Sequence, residues 1–129
     1  MTVRVVRLGS PRAPNEGVRL GTVRRPPRGV RKADYAALDY FDVWYPELAP
    51  SADLVRWLLA EPITAARWAK FARSYRREMS EPAADRTLQV LARLSHTADF
   101  SVGCYCEDEA HCHRSVLREL FVEHNAKLA

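Results

Sequence analysis

The chain has 129 residues, 47% of them hydrophobic, enough apolar material for one core without staples, and charges interrupt every apolar run well short of a membrane span. The net charge of +4 hides an asymmetry: residues 1–32 hold nine of the twenty Lys and Arg residues and a single acid, Glu16, which points to an anionic partner near the N-terminal third. Cys104, Cys106 and Cys112 fall within nine positions, too close together to staple a fold, so reduced thiols in a cytoplasmic setting are expected, serving as a metal site, in redox chemistry or in packing.

Residues 2–8 alternate charged and apolar, which excludes the continuous apolar stretch of a secretory signal and predicts a strand at an edge or half-covered. A second short strand is expected over residues 18–23. It is stopped by Arg24-Arg-Pro-Pro-Arg-Gly29, whose prolines deny ladder hydrogen bonds. Residues 32–50 read as a short helix followed by an irregular aromatic stretch, Tyr40 to Pro46, with its rings over the core. Ser51 is a fitting N-cap for a helix whose stripe is Leu54, Val55, Leu58 and Leu59, ended by Pro62.

Thr64 caps the next helix. Trp68, Phe71, Ala72, Tyr75 and Met79 recur on its inner face, while Arg67, Lys70, Arg73, Arg76 and Arg77 face outward. That basic face reads as solvated, with nucleic-acid binding as the alternative. A further helix follows Pro82, carrying Leu88, Leu91 and Leu94. Residues 99–106 then read as a strand, and Val116, Leu117, Leu120 and Phe121 as the inner face of a last helix. Strands interleaved with amphipathic helices predict a single α/β domain over residues 1–129, a small, largely parallel sheet covered by helices in two or three layers.

The segment between the last strand and helix carries the densest chemistry. On a strand Phe100, Val102, Cys104 and Cys106 share a face, so the thiols continue an apolar stripe and Cys104 can simply be buried. Asp108 is a candidate N-cap, which places His111, Cys112, His113 and Arg114 at a helix start beside the carboxyl end of a strand, where open α/β sheets bind ligands. Three chemistries compete there. His113 and Arg114 can bind an anion, joined by Arg24, Arg25 and Arg28, which also follow a strand. Cys104, Cys106 and Cys112 with His111 or His113 offer ligands suited to zinc, although Cys-x-Cys with a later Cys-His is not a standard paired-knuckle spacing. Finally, Cys112 or Cys104 near a helix N-terminus can be a nucleophile. Cys112, five residues and Arg118 match the spacing of cysteine phosphatases, but the intervening His-Arg-Ser-Val-Leu reads as helix and Glu119 would repel phosphate, so the match is a coincidence.

Four ordered motifs resemble a known family. They are Arg24-Arg-Pro-Pro-Arg-Gly29, Trp44-Tyr-Pro-Glu-Leu-Ala-Pro-Ser51, Phe71-Ala-Arg-Ser-Tyr-Arg-Arg-Glu78, and Cys104 with its acidic loop and Cys112-His113-Arg114. They are similar to the domain-of-unknown-function family numbered 488, which includes the YeaO-like proteins. The resemblance implies an α/β domain with Arg24, Arg28, Cys112, His113 and Arg114 as signature positions, and names no activity. This chain departs from the YeaO-like branch, which typically lacks the Cys104 and Cys112 thiols, and from the broader family, which often has a glutamate where Cys106 stands. Those departures shift weight toward the arginines and away from zinc. The resulting expectation is an anionic ligand, a phosphate-bearing nucleotide or a nucleic acid, held by Arg24, Arg25, Arg28, Cys104, Cys112 and Arg114. His113 is the candidate general acid or base, with no cofactor in this reading and zinc in the alternative.

Overall fold

A computed structural model describes all residues, 1–129. Four strands, β1 (Val3–Arg7), β2 (Val18–Gly21), β3 (Val43–Trp44) and β4 (Phe100–Cys104), form one all-parallel sheet in the order β1-β4-β2-β3. β1 lies at an edge, as its alternating pattern predicts, and β4 runs through the middle with all five residues buried. The register pairs Val3 with Phe100 on one side of β4 and Val18 with Phe100 on the other. The two-residue β3 sits inside the stretch expected to be irregular; with both its residues exposed, it has no hydrophobic pattern to betray it.

The helices are α1 (Ala52–Leu59), α2 (Ala65–Met79), α3 (Pro82–Leu94) and α4 (His113–Glu123). The capping residues act as expected. The Ser51 side chain accepts from the Leu54 amide and that of Thr64 from the Arg67 amide, while Pro82 opens α3. Asp108 caps a short 3-10 turn, Glu109–His111, and α4 starts only at His113, after Cys112. The expected helix over residues 32 onward is likewise a single 3-10 turn, Lys32–Asp34.

The main core lies on one face of the sheet, where Val3, Leu20, Phe100 and Val102 meet Phe71, Tyr75, Leu88, Leu117 and Phe121 from the helices. The opposite face has no helix. It is covered by the loops after β1 and β2, whose Phe41 lies against Gly21 so closely that a Cβ there would come within 2.3 Å of the ring. The domain therefore has two regular layers, and irregular chain replaces the third.

That loop layer is held by a buried ion pair. Arg19 and Glu16 are 0% and 3% exposed, and the guanidinium grips the carboxylate with two hydrogen bonds of 2.7 and 2.9 Å. Arg19 also donates to the carbonyls of Ser10 and Asp39, and Ser101 of β4 donates to Glu16. The pair is fully satisfied, which is the condition for a buried charge to persist.

Candidate functional site

Parallel order brings the carboxyl ends of β1, β4 and β2 to one edge of the sheet, and a cavity of about 1030 Å³ lies over them. Residues 8–11, 23–28 and 104–106, which follow the three strands, form one side of it. Val55, Leu58 and Leu59 of α1, with Ile63 and Phe71, close it from the helical side. Arg24, Arg25 and Arg28 thus share one concave space with Cys104, Cys106, His111, Cys112 and His113. The cause is the sheet order: β2 and β4 are hydrogen-bonded neighbours running the same way, so their following loops emerge side by side.

The arginines of this loop divide into two kinds. Arg24 is half-buried and donates to the carbonyls of Pro46, Ala49 and Pro50 at 2.9–3.3 Å, so it clamps the segment that leads into α1. Arg25 and Arg28 are exposed at the cavity, and neither has a side-chain hydrogen bond or a salt bridge. Arg114 does not line the cavity. It is 4% exposed, donates to the Cys106 carbonyl, and leaves its Nε without a partner.

The three thiols stand together at the cavity wall. Their sulfur atoms all lie within 4.8 Å of one another, and the Cys104 and Cys106 sulfurs are 3.7 Å apart. β4 ends at Cys104, so Cys106 is free of strand geometry, and the 3-10 turn folds Cys112 back onto the pair. All three are free cysteines. The Cys104 and Cys106 thiols hold the Cys112 sulfur well below the ordinary thiol range, and His113 adds to this. Cys112 is also the residue immediately before α4, where the helix dipole favours negative charge. Cys104 moves the opposite way, because it is hydrogen-bonded to the other two sulfurs and buried.

His113 is 6% exposed. Its Nε2 lies 2.7 Å from the Thr22 carbonyl, which can only accept, so Nε2 carries the proton and Nδ1 is turned toward the Cys112 sulfur at 4.0 Å. Tyr75 packs edge-on against the ring at 5.5 Å between centroids. His111 is exposed, paired through Nδ1 with Asp108 at 3.0 Å and set edge-on to Trp68. Arg118 is bound to Glu109 at 2.6 Å and residues 113–118 are helical, so no glycine-rich anion cradle surrounds Cys112.

Three of the four sequence motifs prove to be one scaffold. Glu78 accepts from the Ser51 amide at 2.8 Å and its hydroxyl at 2.5 Å, Tyr75 donates to the Leu48 carbonyl at 2.6 Å, and Arg24 ties in the same segment. Sequence reasoning missed the cavity-lining Tyr40 and Tyr105, which form an edge-on pair at 5.9 Å, and the α1 side chains, whose helical spacing reads as plain core. It also assigned more free charge to α2 than exists. Arg67 binds Glu61 and lies over Trp57, and Arg76 binds Glu119 and Glu123, which leaves Lys70, Arg73 and Arg77 to present a basic face. No helix is long and apolar enough to cross a membrane.

Over residues 3–125 the chain matches the family model DUF488-N3a, described as the Active DUF488-N3 subclade. No curated protein and no solved structure matches it. The chain belongs to the DUF488 family, as its four motifs imply.

Proposed function

We propose that this DUF488 protein binds a phosphate-bearing nucleotide in the cavity over the carboxyl end of the sheet, with the phosphate on Arg25 and Arg28 and the base against the apolar and aromatic wall. The observation that carries this reading is that the arginine loop after β2 and the start of α4 line the same cavity of about 1030 Å³. Its volume is at the upper end of the range for small-molecule sites, and such sites pair apolar walls with a few convergent polar groups. Arg25 and Arg28 are cations with no internal acceptor, and guanidinium groups suit the bidentate geometry of phosphate. Tyr40 and Tyr105 offer ring faces and edges for a base. Arg24 and Arg114 act on the backbone that shapes the pocket rather than on the ligand. Where the ligand undergoes proton transfer, His113 Nδ1 is the group placed to handle it.

Calorimetric titration with AMP, ADP and inorganic phosphate tests the reading. Each charge-assisted contact contributes about 1.5–3 kcal/mol, so the double variant Arg25→Ala/Arg28→Ala should bind at least about tenfold more weakly with an unchanged circular dichroism spectrum. Equal affinity in the double variant, or no nucleotide binding at millimolar concentration, would refute it.

A second reading rests on the thiols, whose mutual spacing suits a bound metal ion such as zinc. It is compatible with the first, since the same cavity holds both sets of residues.

A further inference from the structure

We infer that Cys104, Cys106 and Cys112 together hold a thiophilic divalent cation whose remaining coordination position opens into the arginine-rimmed cavity, where an oxygen of the anionic ligand completes the shell. The metal follows from the cluster alone, while the identity of the ligand rests on the nucleotide reading above.

The spacing is the first argument. A tetrahedral ion with metal–sulfur bonds near 2.3 Å needs sulfur atoms about 3.8 Å apart. Cys104 and Cys106 already stand at 3.7 Å, and no pair among the three exceeds 4.8 Å, so small side-chain adjustments complete the set.

The second argument is charge. Arg114 is 4% exposed and has no carboxylate partner; its hydrogen bond goes to the neutral Cys106 carbonyl, and its Nε has none. A buried guanidinium without counter-charge is costly, and three neutral thiols would supply none. A divalent ion with three thiolates carries one net negative charge, which matches the single buried guanidinium next to Cys106. The N-terminus of α4, directly after Cys112, favours the same sign.

The third argument concerns the open position. Neither histidine belongs to the set of mutually close ligand atoms: His111 is paired through Nδ1 with Asp108, and His113, held through Nε2 by the Thr22 carbonyl, has its Nδ1 near the Cys112 sulfur alone, at 4.0 Å. Three protein ligands and one open position are the pattern of ions that meet a substrate, whereas structural ions are fully enclosed. Cys104, Cys106 and Cys112 all line the cavity that Arg25 and Arg28 border, so that is where the open position faces.

The full chain, purified without added metal, is first assayed for metal content by mass spectrometry and then loaded with Co²⁺. One equivalent of metal, lost in Cys106→Ser while the circular dichroism spectrum is retained, together with intense sulfur-to-cobalt charge-transfer bands, is the expected result. Cys106 is exposed, so its replacement tests the ligand set without opening the core. Addition of inorganic phosphate or AMP should then shift the cobalt ligand-field bands. Protein that stays metal-free and takes up no Co²⁺, or whose Cys104 and Cys106 are joined as a disulfide, overturns the metal site. Cobalt bands that do not move while AMP binding is measurable by calorimetry overturn the open position and leave the nucleotide reading standing. Bands that move with phosphate in a protein that does not bind AMP do the reverse.

Discussion

Replacing Glu16 by Gln is the sharpest test of how the cavity rim is held. Burial pushes the Glu16 carboxyl up, but the Arg19 guanidinium, the Ser101 hydroxyl and the Ala13 amide outweigh it and hold the group at about 2, against 4.5 in the open chain. A depressed native value means that the stabilisation is present above pH 4.5 and is lost as pH falls toward 2. With 1.36 kcal/mol per pH unit of difference, the full contribution is about 3 kcal/mol, of which about 2 kcal/mol is gone at pH 3. Glu16→Gln cannot titrate and leaves Arg19 buried and unpaired, which costs about 3–5 kcal/mol at pH 7. Urea unfolding at pH 7 should therefore show that loss, and at pH 3 the gap to the natural chain should narrow by about 2 kcal/mol. If the single variant does not fold, Glu16→Leu/Arg19→Met removes both charges and should recover most of the stability. A variant within about 1 kcal/mol of the natural chain at pH 7, well below the expected loss for an orphaned buried charge, would refute the reasoning, as would a gap that does not change with pH. Because Arg19 also anchors the Ser10 and Asp39 carbonyls, a folded Glu16→Gln protein should bind AMP more weakly through a loosened rim.

Three further outcomes separate scaffold from site. Arg24→Ala strips the donor from the Pro46, Ala49 and Pro50 carbonyls and should lower stability by about 2 kcal/mol in thermal melts, whereas Arg25→Ala/Arg28→Ala should leave the melting temperature unchanged and weaken only ligand binding. Gly21→Ala would set a Cβ 2.3 Å from Phe41 Cδ2 and should cost about 1–3 kcal/mol by urea unfolding, with Phe41→Leu recovering part of it. Burial lowers the His124 proton affinity, but the Leu120 carbonyl and Asp85 carboxylate outweigh this and raise it above the ordinary value of 6.5. That pair stabilises below pH 6.5 and its contribution is lost as pH rises through the higher native value, so the stability gap between the natural chain and His124→Gln should be larger at pH 5.5 than at pH 8.5.

The order of regular elements was legible where a local pattern decides them. Residues 2–8 alternate because β1 lies at an edge, and Ser51, Thr64 and Pro82 announce helices because cap chemistry is local. The meeting of the Arg24–Arg28 loop with the α4 start was expected from strand ends alone, and the strand order brings the two together. What was not legible depends on long-range pairing. β3 exists because β2 offers it a ladder, not because Val43-Trp44 has a pattern, and α4 starts late because the turn Glu109–His111 intervenes. The burial of Glu16 and Arg19 was not legible either, because nothing in a sequence marks which arginine will be enclosed.

The same limitation explains why charge asymmetry overstated the anionic partner. Of the nine bases in residues 1–32, Arg7, Arg12, Arg19, Arg24 and Arg31 have partners inside the fold: carboxylates for four of them and backbone carbonyls for Arg24. The basic segment is thus largely an internal tie between the loop layer and the rest of the chain. Arg4, Arg25, Arg28 and Lys32 remain, and of these four Arg25 and Arg28 stand at the cavity that also holds the thiol cluster. Two unpaired cations and three thiols at one cavity are a narrower statement than net charge could support. They predict dependence on two residues rather than on ionic strength across a face. An oligonucleotide that binds the natural chain and the Arg25→Ala/Arg28→Ala protein equally, with affinity falling steeply as salt rises, would mean that diffuse charge on α2 carries recognition after all, because only many phosphate contacts give a steep salt slope.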